Sequence, residues 1–189
     1  MKIILPLLAL LLLAAGGLTG CQAPRGRSPV EVGAAPTRRN NCYSLLHQLL
    51  ADEKNVSLLL FIKREQDDVE KLVDKISANA AVAAKLLEEF ARHDPAIRLE
   101  DFRLPPGELA TREAIAATKQ KELLGQSGAE FELSLLLTQT EALNYGWHLA
   151  KVASENEAQP GRARALAGVS KDLEHLYHEA FALLLSRRK

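Results

Sequence analysis

The last thirty residues constrain this chain most. Leu166, Val169, Leu173, Leu176, Ala180 and Leu183 recur at three-and-four spacing, which is the signature of a helix burying one face. A second stripe runs through Val69, Leu72/Val73, Ile76, Ala80, Ala83, Leu87 and Phe90. No alternating strand pattern or hairpin turn interrupts these periods. Ala, Leu, Glu and Lys abound while aromatics reach only 5%, so propensity agrees with period. The chain is expected to be all-α.

The remaining elements follow from punctuation. Tyr43 to Lys63 carries a helical stripe interrupted by "ADEKN". Asp67 and Glu70 then offer a capping box. One unbroken helix over 43–92 fits the phase nearly as well, but a bundle favours a break near Gln66. "HDPAIRLEDFRLPPG" (93–107) is the longest interior connection and suits a crossover along a bundle. A helix of modest amphipathicity is expected from Glu108 to Gly125. A longer one should follow to about Glu155, opened by Ser127 and Glu130 as a second capping box. Pro160-Gly161 makes a short loop, so the last helix should return antiparallel. Arg187, Arg188 and Lys189 sit where cations complement its dipole.

The first forty residues differ in kind. Lys2 precedes an apolar run from Ile3 to Ala15 and then small residues. The run is shorter than the roughly 20 residues that span a bilayer, and reads as an export signal. Leu18-Thr19-Gly20-Cys21 resembles the bacterial lipobox. That resemblance implies cleavage after Gly20, diacylglycerol on the Cys21 sulfur and acylation of the new amino terminus. Gln22 at the next position is similar to lipoproteins sorted to the outer membrane of diderm bacteria. The expected organisation is a signal peptide over 1–20, a lipidated cysteine with a flexible tether over 21–41, and a helical bundle domain over 42–189. The tether has three prolines, and over Gln22 to Asn40 its coil reach is roughly 25 Å. Cys42 could form an intermolecular disulfide or act as a reactive thiol; a buried thiol near the start of the first helix is the preferred reading.

Charge and motif exclude several functions. The chain has 24 basic and 24 acidic residues, and that balance gives no basic face for nucleic acid. No glycine-rich phosphate loop, Cys-x-x-Cys or nucleophile-elbow serine is present. Di-metal bundles need Glu-x-x-His on two helices, yet none of His47, His93, His148, His175 and His178 has Glu three residues before it. Asp172, His175 and His178 form the nearest candidate metal cluster. The stripe of the last helix turns His178 outward and leaves His175 at the flank. Gln139, Thr140 and Asn144 fall on or beside the apolar face of their helix and suit an interhelical hydrogen bond or a small pocket. Tyr145 and Trp147 read as core or rim.

Three segments carry a family resemblance. "VEKLVDKISANAAVAAKLLEEFA" (69–91), "LLGQSGAEFELSLLLTQ" (123–139) and "VSKDLEHLYHEA" (169–180) are similar to the exported bacterial proteins with a ferritin-like four-helix bundle, often called predicted outer-membrane proteins. Gly128 and Phe131 match the family's central signature, with Glu132 for its Asp. His175 matches the last-helix His, with Ser170 for the Pro. Asn79-Ala80 stand where the family carries Asp-His, and Leu143 stands where it carries a further His. The resemblance implies a ferritin-like up-down four-helix bundle with an extra shorter helix in the long connection. It assigns no activity. The functional expectation is a lipid-anchored, non-enzymatic binding or structural protein of the envelope, on the outer membrane and facing the periplasm. It would need no cofactor, bind no nucleic acid, and meet the membrane through Cys21 and an envelope protein as partner. The alternative is a ferritin-like metal-binding or redox protein using Asp172, His175 and His178.

Overall fold

The computed structural model describes residues 29–61 and 66–187; the expected export signal and lipobox, with Cys21, lie outside them. Five α-helices and no strands make up the described chain. They are α1 (Pro29–Glu53), α2 (Asp67–His93), α3 (Pro106–Gly125), α4 (Gly128–Asn156) and α5 (Pro160–Ser186), with a 3₁₀ turn over Val56–Phe61. The all-α expectation stands.

Four of these helices enclose one core. α1 packs on α2 and α4, and α5 packs on α4 and α2. The stripes explain why. Val69, Leu72, Val73, Ile76, Leu87 on α2 and Leu166, Val169, Leu173, Leu176, Ala180 on α5 are buried, where Phe131, Leu135, Leu136 and Leu143 of α4 and Tyr43, Leu46 and Leu50 of α1 join them. Side-chain bonds set the directions. Near one end Tyr43 of α1 meets Glu157 beyond α4, and Arg162 of α5 meets Asp94 beyond α2. At the opposite end Arg187 after α5 meets Asp68 of α2 and Glu132 of α4. Each of the four therefore runs antiparallel to the two it packs on, and α2 and α4 run the same way.

That parallelism requires the chain to travel back between them, and 94–127 does so. Ser44 donates from Oγ to the Asp101 carbonyl at 3.2 Å, and the Arg98 amide donates to Asn40 Oδ1 at 3.2 Å, pinning the connection to α1. α3 then crosses the outside of α1 and α4. It buries only Leu123 and is held by polar contacts: Arg112 donates to Tyr145 Oη at 2.8 Å, and Lys119 pairs with Glu141 at 3.0 Å. Its modest amphipathicity is that of a strap lying on a finished surface.

Three expectations are corrected. The tether expected over 21–41 is helical from Pro29 onward. Pro36 lies inside α1, while Arg38, Arg39 and Asn40 are tied down by Asn156, Glu157 and Arg98; tertiary contacts offset the local cost of proline. The helix expected from Tyr43 to Lys63 ends at Glu53, because "ADEKN" closes it and Asn55 caps back on the Ala51 carbonyl. The break before α2 is present, but the Asp67/Glu70 capping box is not formed. Gln66 is the cap residue, and Asp68 accepts from the Val69 amide at 2.9 Å. Ser127 likewise caps α4 by position without a side-chain bond. The following Gly128 has φ +57°, a conformation that glycine adopts without steric cost.

Gly146 of α4 lies against side chains of α1 and α5. A Cβ there would stand 2.6 Å from Leu49 Cδ2 and 3.3 Å from Leu173 Cδ1. Leu49 also lines a cavity of about 240 Å³ beneath α3, so its tip has room to move. Gly146→Ala is expected to change stability by less than about 1 kcal/mol, since helix propensity offsets the contact. Gly146→Ile should cost about 3 kcal/mol or more, read as a lower midpoint in urea at unchanged slope.

Candidate functional site

Three groups of polar side chains are candidates for chemistry, and each arises from helix ends or from one face of a helix. The first lies where α4 ends and α5 begins. Glu157 follows the last turn of α4, and its side chain is fully buried. Tyr43 donates from Oη to Glu157 Oε2 at 2.8 Å, while the Gln159 amide and Arg162 Nη2 donate to Oε1 at 2.9 Å each. Arg162 also reaches Asp94 at 2.9 Å, and Arg39 stands 3.8 Å from Oε1. Burial opposes the charge on Glu157, but Arg162, the Gln159 amide and the Tyr43 hydroxyl outweigh it, and the carboxyl is held below its usual range. Burial, then the bond to Glu157, pushes the Tyr43 phenol up. A phenol held protonated against a saturated carboxylate is a clasp: every acceptor is used and no reacting atom has access.

Cys42 adjoins this clasp. Its thiol is buried and unpaired, in agreement with the preferred reading, though it lies well inside α1 instead of at its start. Burial raises its pKa, against a smaller opposing effect of Arg38, so the thiolate needed for reactivity is disfavoured.

The second group is interior. Glu53 ends α1 and Gln139 lies on the buried face of α4. Burial pushes the Glu53 carboxyl up to about 7, opposed by a hydrogen bond with Gln139 and reinforced by Asp52. Glu53 Oε2 and Gln139 Oε1 are both buried acceptors without a donor. A proton on Glu53 supplies one, so neutral glutamic acid is the form this pocket favours. Thr140 bonds locally to the Leu137 carbonyl at 2.7 Å and Asn144 is exposed. Neither makes the interhelical bond that sequence suggested; Gln139 alone of the three reaches a side chain on another helix.

The third group contains Asp172, His175 and His178, and α5 divides it. Asp172 and His175 line a groove of about 520 Å³ toward α2, with Asn79, Val82 and Glu179. His178 turns toward α4, its ring centroid 6.3 Å from Trp147 and 5.1 Å from Tyr177. All three are exposed. Among the described residues no three His, Cys, Asp or Glu side chains are placed to hold a metal ion. The cause is angular: each step of three residues along a helix turns the direction by about one-sixth of a turn, and here the second step crosses the ridge between two grooves.

Sequence reasoning missed Glu157, Glu132 and Glu53. Acids at helix ends are common on surfaces, and only the packing of other helices over these ends buries them. Arg187 was expected to serve the α5 dipole; its guanidinium instead bridges Glu132 at 3.1 Å and Asp68. Glu132 also accepts from the Gln66 amide at 2.9 Å. Tyr145 and Trp147 sit half-buried at the rim, as expected.

No helix among the described residues is long and apolar enough to cross a membrane. Compared with known protein families, curated proteins and solved structures, the chain matches none of them.

Proposed function

We propose that the chain is a lipid-anchored protein of the bacterial envelope whose helices form a ferritin-like four-helix bundle, serving as a binding or structural module and not as an enzyme. The observation that carries this reading is Leu18-Thr19-Gly20-Cys21 following an apolar run and two glycines. The antiparallel neighbours, with α2 and α4 alike in direction and joined by 94–127, support the ferritin-like arrangement. The polar clusters support the non-enzymatic part. Glu157 is saturated by donors, Glu53 is sealed against Gln139, and Cys42 is buried. A site for acid–base or nucleophilic chemistry needs such groups beside space for a substrate. The metal-binding alternative draws no support from Asp172, His175 and His178, which face two different neighbours. The partners proposed are the membrane, through Cys21, and an envelope protein; the outer membrane is the proposed location.

The test is lipid incorporation. The full chain, expressed in a diderm bacterium fed an alkyne-bearing palmitate, should carry the label and sediment with the outer membrane. Cys21→Ala should lose both. An unlabelled or freely soluble wild-type chain would sink the proposal.

A further inference from the structure

α3 meets the bundle along a seam unlike that of any other helix. Leu109, Arg112, Ala116, Lys119 and Leu123 fall at three-and-four spacing on one face of it. The stripes of α2 and α5 are aliphatic and buried along their length. Here two of five positions carry charge, and only Leu123 is buried. Sixteen of the twenty residues of α3 are exposed, so little apolar area holds the helix down. The contacts at its middle are polar and open to water. Arg112 donates to the Tyr145 hydroxyl and lies 5.0 Å from the centre of its ring, while Lys119 and Glu141 pair with 29% and 58% of their side chains exposed. Exposed pairs of this kind contribute little. Packing is absent where it would count most: a cavity of about 240 Å³ lies beneath the helix, lined among others by Leu45 and Leu49 of α1, Leu109 and Ala116 of α3, and Tyr145 of α4.

The backbone turns sharply on either side of this helix. Among the described residues only Arg103 (φ +44°) and Gly128 (φ +57°) have positive φ. They stand three residues before Pro106 and three after Gly125. Glycine takes this conformation freely, whereas a residue with a Cβ takes it at a steric cost. Arg103 therefore holds strain that movement of the strap relaxes. Beyond these two points the chain is fastened. Ile97 is buried and the Asp101 carbonyl accepts from Ser44 on one side, and α4 begins on the other. The stretch between them has slack. Leu104 to Ser127 reaches about 80 Å when extended, nearly twice the roughly 44 Å length of the 29-residue α4 beside it. The strap can therefore leave the surface without pulling the bundle apart, and it takes only Leu123 out of the buried core.

We propose that α3 is a releasable strap: it opens as a unit about Arg103 and Gly128, uncovering Leu45, Leu49 and Tyr145 while the bundle of α1, α2, α4 and α5 stays folded. Off the surface, a helix of this length is marginal in water, so its amides exchange with solvent each time it opens. Hydrogen exchange of the full chain in detergent, read by mass spectrometry, tests this. Peptides from α3 should exchange about a hundredfold or more faster than those from the middle of α4, as a local opening does beside a global one. Their rate should scarcely change in urea too dilute to unfold the bundle, because a local opening exposes little surface. Tyr145→Phe, which removes the acceptor of Arg112, should speed α3 exchange roughly fivefold with α4 unchanged. Ala116→Leu, which extends an apolar side chain toward the cavity, should slow it about tenfold, a gain in protection that a folding defect cannot produce. Protection of α3 equal to that of α4 would overturn the proposal. So would α3 exchange that rises with urea as steeply as that of α4, or an α3 rate that neither substitution moves.

Discussion

Glu157→Ala should lower the unfolding free energy by about 3–5 kcal/mol, the largest effect of any single polar substitution considered. The carboxylate is fully buried and accepts from Tyr43, Arg162 and the Gln159 amide. Removing it leaves the Tyr43 hydroxyl without an acceptor and Arg162, whose side chain is 17% exposed, with Asp94 alone at 2.9 Å, and opening a buried charge cluster costs far more than each pair contributes. For a chain of this size the midpoint of thermal unfolding should fall by roughly 10 °C. Tyr43→Phe, which removes one donor and keeps the ring against Phe90 (centroids 6.5 Å apart, edge-on), should cost only about 1 kcal/mol. Equal losses for the two variants would mean that packing of α1, and not the charge cluster, fastens this end.

The second large effect has the opposite sign. Glu53→Gln should stabilise the protein above pH 7 by about 2–3 kcal/mol. The folded carboxyl titrates near about 7, whereas an unfolded glutamate titrates near 4.3. Between those values the folded state holds a proton that the unfolded state has lost. Wild-type stability therefore falls as pH rises through this window and is level beyond it. Glutamine is the neutral isostere and removes that slope. Urea midpoints from pH 5 to pH 8 check the prediction: parallel wild-type and variant curves would refute it. Glu157 shapes the acid side. Its carboxyl is held below the usual range, so the stability it contributes is present above the unfolded value and is lost as pH falls through the folded one. Stability should peak on the mildly acidic side of neutrality, between the two flanks.

Much of the fold was legible because burial leaves a period. Leu166, Val169, Leu173, Leu176 and Ala180 are buried as their spacing predicts, and the loop at Pro160 returns α5 along α4. The long connection was read as a crossover, and it runs back between the parallel α2 and α4. What failed were features decided by tertiary contact. α1 extends back to Pro29 although its composition argues for coil, since Arg38, Arg39 and Asn40 find partners more than fifty residues away. The capping box of α2 failed because the helix takes Gln66, one residue before Asp67, as its cap, and the Gln66 amide is taken by Glu132. Candidate sites were less legible still. Asp172, His175 and His178 share a helix and a spacing, but a few tens of degrees around α5 decide which groove each one enters. Glu53 and Gln139 are 86 positions apart, and nothing local in either segment announces the other.

The route of the chain also orders its assembly. α4 and α5 are joined by three residues and share the most extensive packing in the molecule, so this hairpin closes at low entropic expense. α2, by contrast, touches α5 only after the whole stretch between them has been laid over α1 and α4. The α4–α5 hairpin is the natural nucleus, with docking of the α1–α2 pair as the slow step. Emergence from the ribosome runs the other way: α1 and α2 appear first and must wait, apolar faces open, for the partner helices that complete their core.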